Sequence, residues 1–168
     1  MPATAERRTL TLELAGARVP AIGLFPVTDH PAPGVLLLHG YSSSKERLSS
    51  TMGKSLAARG IASLAIDLPL HGSRDDEIVD EARSNPFGLM QQWKKALAEA
   101  RDAVAWLSEQ PAIDSDRLAV AGYSLGSYIA LETAASEPRE WRWYHSAHIL
   151  PPAAADDAAT WLTRKLEK

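Results

Sequence analysis

The 168-residue chain contains no cysteine, which removes disulfides, thiolate metal ligands and a cysteine nucleophile from consideration. No apolar run approaches the roughly 20 residues a membrane span needs. The opening MPATAERRTLTLEL lacks the continuous apolar core of a secretory signal. Basic residues do not cluster beyond Arg7-Arg8, and 21 acidic against 18 basic side chains give a net charge of -3. Nucleic acid and anionic membrane surfaces therefore have no electrostatic footing as partners. Internal repeats, low-complexity tracts and linkers are also missing. What is present is ordinary: 45% apolar and 23% charged residues, a globular composition at a length suited to one domain over residues 1–168. The expectation is a soluble, cytoplasmic domain.

Two kinds of apolar pattern follow one another. Residues 8–14 (RTLTLEL) alternate strictly between polar and apolar, as a half-buried strand does. Residues 19–27 can pair with them as a hairpin turning near Gly16, although Pro20 and Pro26 weaken a strand there. Beyond this point come short continuous apolar runs, residues 34–38 (GVLLL), 61–66 (IASLAI) and 118–122 (LAVAG), which suit parallel strands buried on both faces. Helical stripes separate them. Leu48, Met52 and Leu56 mark one helix over residues 45–59. Phe87, Met90, Trp93, Leu97, Ala100, Val104 and Leu107 mark a longer one over 86–109, with Pro86 at its first turn and Pro111 after its end. Alternating strands and helices predict an α/β fold, a doubly wound, mostly parallel sheet preceded by an antiparallel hairpin.

Gly122-Tyr123-Ser124-Leu125-Gly126 matches G-x-S-x-G, a pattern that chance supplies in roughly one such chain in twenty. Its context carries more weight: it follows the strand at 118–122 and opens a helical run at 127–135, the strand-turn-helix setting of a nucleophile elbow. Two further segments sit at corresponding places, HGYSSSKE (39–46) and IDLPLHGSR (66–74). Together the three motifs resemble the α/β-hydrolase family, and within it the small serine esterases similar to dienelactone hydrolase. The resemblance implies Ser124 as nucleophile, with the backbone N–H groups of Tyr41 and Leu125 as an oxyanion hole. It implies no metal and no organic cofactor, and a small ester as substrate. His39, His71 and Arg74 read as loop scaffolding.

Residues 143–152 (WYHSAHILPP) resemble the family's histidine loop and precede an amphipathic helix at 153–166 anchored by Trp161, Leu162 and Leu166. By the resemblance His148 is the general base. His145 competes from a strand over 140–145, where it shares a face with Trp141 and Trp143. Ala147 stands where the family usually has glycine. Only about twenty residues separate the elbow from this loop, so the lid and the strands that bring the triad acid are missing. Asp114 and Asp116 precede the nucleophile strand, Glu137 and Glu140 precede the last one, and Asp156 and Asp157 lie in the first turn of the final helix. None matches the family's acid motif, and the acid stays unassigned. The expectation is a shortened α/β-hydrolase fold with a Ser124–His148 dyad, or else a catalytically silent module that binds or self-associates. An apolar final strand at the sheet edge adds an expected tendency to homodimerise.

Overall fold

A computed structural model describes residues 4–74, 86–134 and 153–166. The alternating N-terminal segment is β1 (Ala5–Leu14), paired antiparallel with β2 (Ala17–Pro26) through a turn at Ala15-Gly16. Both prolines expected to disfavour β2 lie inside it, Pro20 facing Thr11 and Pro26 facing Ala5. The apolar runs become β3 (Ala32–Leu38), β4 (Ala62–Ile66) and β5 (Ile113–Gly122). Strand β5 starts five residues before its apolar run. Its polar beginning is held by pairing with β3 across an irregularity near Ala32, and Asp114 and Asp116 fall within it.

The sheet order is β1-β2-β4-β3-β5. Strands β4, β3 and β5 are parallel, and β2 joins β4 antiparallel. The expected helix at 45–59 is present as α1 (Lys45–Leu48), a π turn (Ser49–Gly53) and α2 (Lys54–Ala57). The long helix is α3 (Pro86–Ser108), the helix after Ser124 is α4 (Leu125–Thr133) and the last helix is α5 (Ala154–Leu166). A short 3-10 turn spans Gly72–Arg74.

Strand β3 shows why the sheet is double-wound. Its side chains alternate, Leu36 and Leu38 entering one apolar cluster and Val35 and Leu37 the other. The first cluster takes Ala96, Ala100, Ala103 and Leu107 from α3 and Ile129 and Ala130 from α4. The second takes Leu56 from α2 and Ala159, Leu162 and Leu166 from α5. Two members of the α3 stripe depart from expectation: Phe87 and Met90 are 72% and 50% exposed. Packing against the sheet begins only near Trp93. No described helix is long and apolar enough to cross a membrane.

The chain leaves β3 toward β4 on one side and returns to β5 on the other. The carboxyl ends of β3 and β5 thus flank a topological switch point, where α/β sheets open a crevice.

Candidate active site at the switch point

Two loops meet at that crevice. After β5 the chain turns through Tyr123 and Ser124 into α4. Ser124 has φ 51 and ψ -117, a conformation that side-chain-bearing residues rarely adopt. Hydrogen bonds fix it from both sides: the Tyr123 N–H donates to the Leu38 carbonyl at 3.0 Å, and the Gly126 and Ser127 amides donate to Tyr123 and Ser124 at 2.9 Å each. The turn closes only because its flanking residues lack side chains. A Cβ on Gly122 would collide with the Gly126 carbonyl, and one on Gly126 with the Leu38 carbonyl. Leu125 is the first residue of α4, so its amide has no carbonyl one helical turn behind it.

After β3 the chain runs His39-Gly40-Tyr41 directly over this turn. A Cβ on Gly40 would lie 2.9 Å from the Tyr123 ring and 3.2 Å from the Ser124 Cβ. Ser124, chosen from the sequence, is therefore brought against Gly40, the residue before Tyr41. Tyr41 is 59% exposed at the rim, its ring edge-on to His71 with centroids 5.1 Å apart. His145 and His148 lie outside the described residues, as do Trp141, Trp143, Glu137 and Glu140.

The scaffold under the two loops is polar and buried. His39 accepts from the Leu68 N–H through Nε2 at 3.0 Å, so its Nδ1 carries the proton and donates to the Gly40 carbonyl at 2.8 Å. Burial holds His39 below the usual imidazole range, and the neutral ring braces the loop after β3 against the loop after β4. This is the scaffolding role expected of it. His71 likewise donates from Nδ1 to the Pro69 carbonyl at 2.7 Å.

Asp67, fully buried, accepts from the Lys45 N–H at 2.9 Å, the Lys45 Nζ at 2.6 Å, the Ser73 N–H at 2.9 Å and the Ser73 Oγ at 2.8 Å. Burial alone would raise its pKa, but the Lys45 and Ser73 donors outweigh it and hold the carboxyl below its ordinary value. Burial would lower Lys45, yet its bonds to Asp67 and Glu46 raise it. Arg74 makes a two-pronged pair with fully buried Glu99, at 2.6 and 2.8 Å, and caps the Asp67 carbonyl at 3.0 Å.

Sequence reasoning singled out His71 and Arg74 but passed over Lys45, Asp67, Ser73 and Glu99. The signal was available in part, since Lys45 stands in the first loop motif and Asp67 and Ser73 in the second. Glu99 carried none: it is one charge among many on a long helix.

The carboxylates considered as a triad acid are placed elsewhere or outside the described residues. Asp114 bonds Arg117 at 2.6 Å at the start of β5, roughly ten residues and some 30 Å of strand from Ser124. Asp156 accepts from Ser55 and Arg59, both at 2.7 Å. It ties α5 to α2 in addition to sitting at its helix N-terminus.

Comparison with known proteins agrees with this architecture. The model of the alpha/beta hydrolase family matches residues 35–167. Esterase YjfP of Escherichia coli is 34% identical over 127 residues, 73% of this chain and 48% of that protein. A polyketide transferase, ATR5, of Stachybotrys chlorohalonatus is 32% identical over 107 residues, 64% of this chain and 33% of that one. The crystal structure of dienelactone hydrolase from Anabaena variabilis superposes with a TM-score of 0.61 at 23% identity. It covers 80% of this chain and 59% of that one, a likeness of fold. The chain thus spans between a third and a half of the curated relatives it matches.

Proposed function

The chain belongs to the alpha/beta hydrolase family, and from that premise we propose that it cleaves small carboxylic esters through an acyl-enzyme on Ser124. The observation that carries this reading is the backbone of Ser124. A serine held at φ 51 between β5 and α4, against a glycine-lined loop, is hard to explain by stability alone. It is what a nucleophile elbow requires.

In this mechanism the Ser124 Oγ attacks the ester carbonyl carbon and His148 takes its proton. The carbonyl oxygen becomes an oxyanion that accepts from the backbone N–H groups of Tyr41 and Leu125. Two amides fixed by separate turns need little reorganisation as that charge develops. Collapse expels the alcohol, which leaves with the proton returned by His148. Water then repeats the sequence and releases the carboxylate. No residue is assigned as triad acid, and neither metal nor organic cofactor enters. With no lid expected from the sequence, an open site would favour short acyl chains. The setting is cytoplasmic, the partner a small-molecule ester.

The test is to incubate the protein with a fluorophosphonate probe and a short-chain p-nitrophenyl ester, beside Ser124→Ala and His148→Ala. Labelling and turnover should vanish in Ser124→Ala and fall steeply in His148→Ala. Turnover that survives Ser124→Ala overturns the proposal. The competing reading, a catalytically silent hydrolase-like module, draws on the missing acid motif. It requires that the unaltered chain neither labels nor turns over.

A further inference from the structure

A groove of about 510 Å3 opens between the β1–β2 hairpin and the α1–α2 segment, toward the sheet edge opposite β5. Arg7, Arg47 and Lys54 line it, and none of the three has a carboxylate partner among the described residues. By contrast Arg8, Arg59, Arg74 and Arg117 each pair with one. Arg7 donates to the Thr9 hydroxyl at 3.1 Å. One carboxylate, Glu46, also lies on the lining, and its partner Lys45 at 2.7 Å is shared with Asp67. Positive charge thus converges on one cavity of a chain whose net charge is -3.

A second observation points the same way. Ser49 lines the groove and is only 4% exposed. It begins the π turn Ser49–Gly53, an irregularity that helices keep mostly at functional positions. An adjoining cavity of about 290 Å3 shares Arg7, Leu24 and Lys54 and continues along Ala57 and Ala58. The groove is cationic at one end and apolar at the other.

We infer that this groove binds a small anionic amphiphile, a phosphate monoester bearing a short alkyl chain. The phosphate group, largely dianionic near pH 7, lies among Arg7, Arg47 and Lys54 with the Ser49 hydroxyl as a further donor. The alkyl chain lies along Leu24, Ala57 and Ala58. The inference uses no residue assigned to ester cleavage and stands apart from that reading.

Calorimetric titration of the full chain with octyl phosphate, below its micelle-forming concentration, tests it. Saturable binding is expected, weakened at least about tenfold in Arg47→Ala/Lys54→Ala and by added salt. Inorganic phosphate should bind more weakly, as should octanoate, and octanol not detectably. Ala58→Trp should bring octyl phosphate down toward inorganic phosphate. Ser124→Ala should leave the titration unchanged, so an inactive esterase and an empty groove are separate results. Because the altered groove residues are exposed, circular dichroism and the melting midpoint should match the unaltered chain. The inference is overturned by absent octyl phosphate binding or by unchanged affinity in the double variant. Octanol or octanoate binding as tightly, or binding lost with Ser124, overturns it equally.

Discussion

Ser124 holds a conformation that costs on the order of 1–3 kcal/mol for a residue with a side chain. Glycine there would relieve the strain, at a cost of about 0.5–1 kcal/mol in unfolded-state entropy. Alanine would keep the strain. Ser124→Gly should therefore melt above Ser124→Ala by a few degrees, roughly 2–4 °C per kcal/mol at this chain length, while both lose the proposed esterase activity. Equal melting points in a thermal scan would remove strain from the account.

Three buried groups set the pH dependence. Asp67 is depressed, so its contribution is present above the unfolded value near ~3.9 and is lost as pH falls through the folded one. Lys45 is raised, so its contribution is present below ~10.4 and is lost as pH rises through its folded value. His39 is depressed by burial. Its neutral ring contributes fully above ~6.5, and that contribution fades as pH falls toward the folded value. Denaturant unfolding between pH 7 and 5 should thus show a stability slope that shrinks in His39→Gln, by up to ~1.4 kcal/mol per pH unit. Asp67→Asn should instead lower stability across neutral pH by about 3–5 kcal/mol, because it leaves the Lys45 ammonium without its buried partner.

At the scale of elements, the turn at Ser124 depends on β5, α4 and the end of β3 approaching closely. Gly126→Ala drives a Cβ into the Leu38 and His39 carbonyls, backbone atoms that cannot swing aside. It should destabilise by several times the ~1 kcal/mol of a typical substitution and should abolish fluorophosphonate labelling. Near-normal melting and labelling would mean that the two turns separate readily.

The same elements show what the sequence made legible. Continuous apolar runs located β3, β4 and the latter half of β5, since a strand covered on both faces must be apolar throughout. The first half of β5, IDSDR, was illegible because backbone pairing with Ala32 and beyond holds it there despite its polar side chains. The π turn at Ser49–Gly53 was equally hidden, since Leu48, Met52 and Leu56 fit a regular helical stripe and all pack on one cluster. Glycine spacing marked the turn at Ser124, but only the fold could bring Gly40 against it. Charged side chains said little, because Asp67, Lys45 and Glu99 become a buried clamp only once three elements converge.

For the whole molecule, the shortening expected after Ser124 bears on both rate and association. If the proposed Ser124–His148 dyad lacks an orienting acid, turnover should run on the order of 10⁴-fold below that of a complete triad. Association follows from the sheet. Among the described strands β5 pairs only with β3, and the apolar segment expected beside it carries Trp141 and Trp143. An apolar edge with unsatisfied backbone groups invites a second copy, and mass action makes such pairing depend on concentration. Light scattering behind size-exclusion chromatography should therefore show the mass rising from one chain of 18.2 kDa toward two as concentration increases, with the melting midpoint rising in step. A mass fixed at one chain across the range would mean that the edge is covered within the monomer.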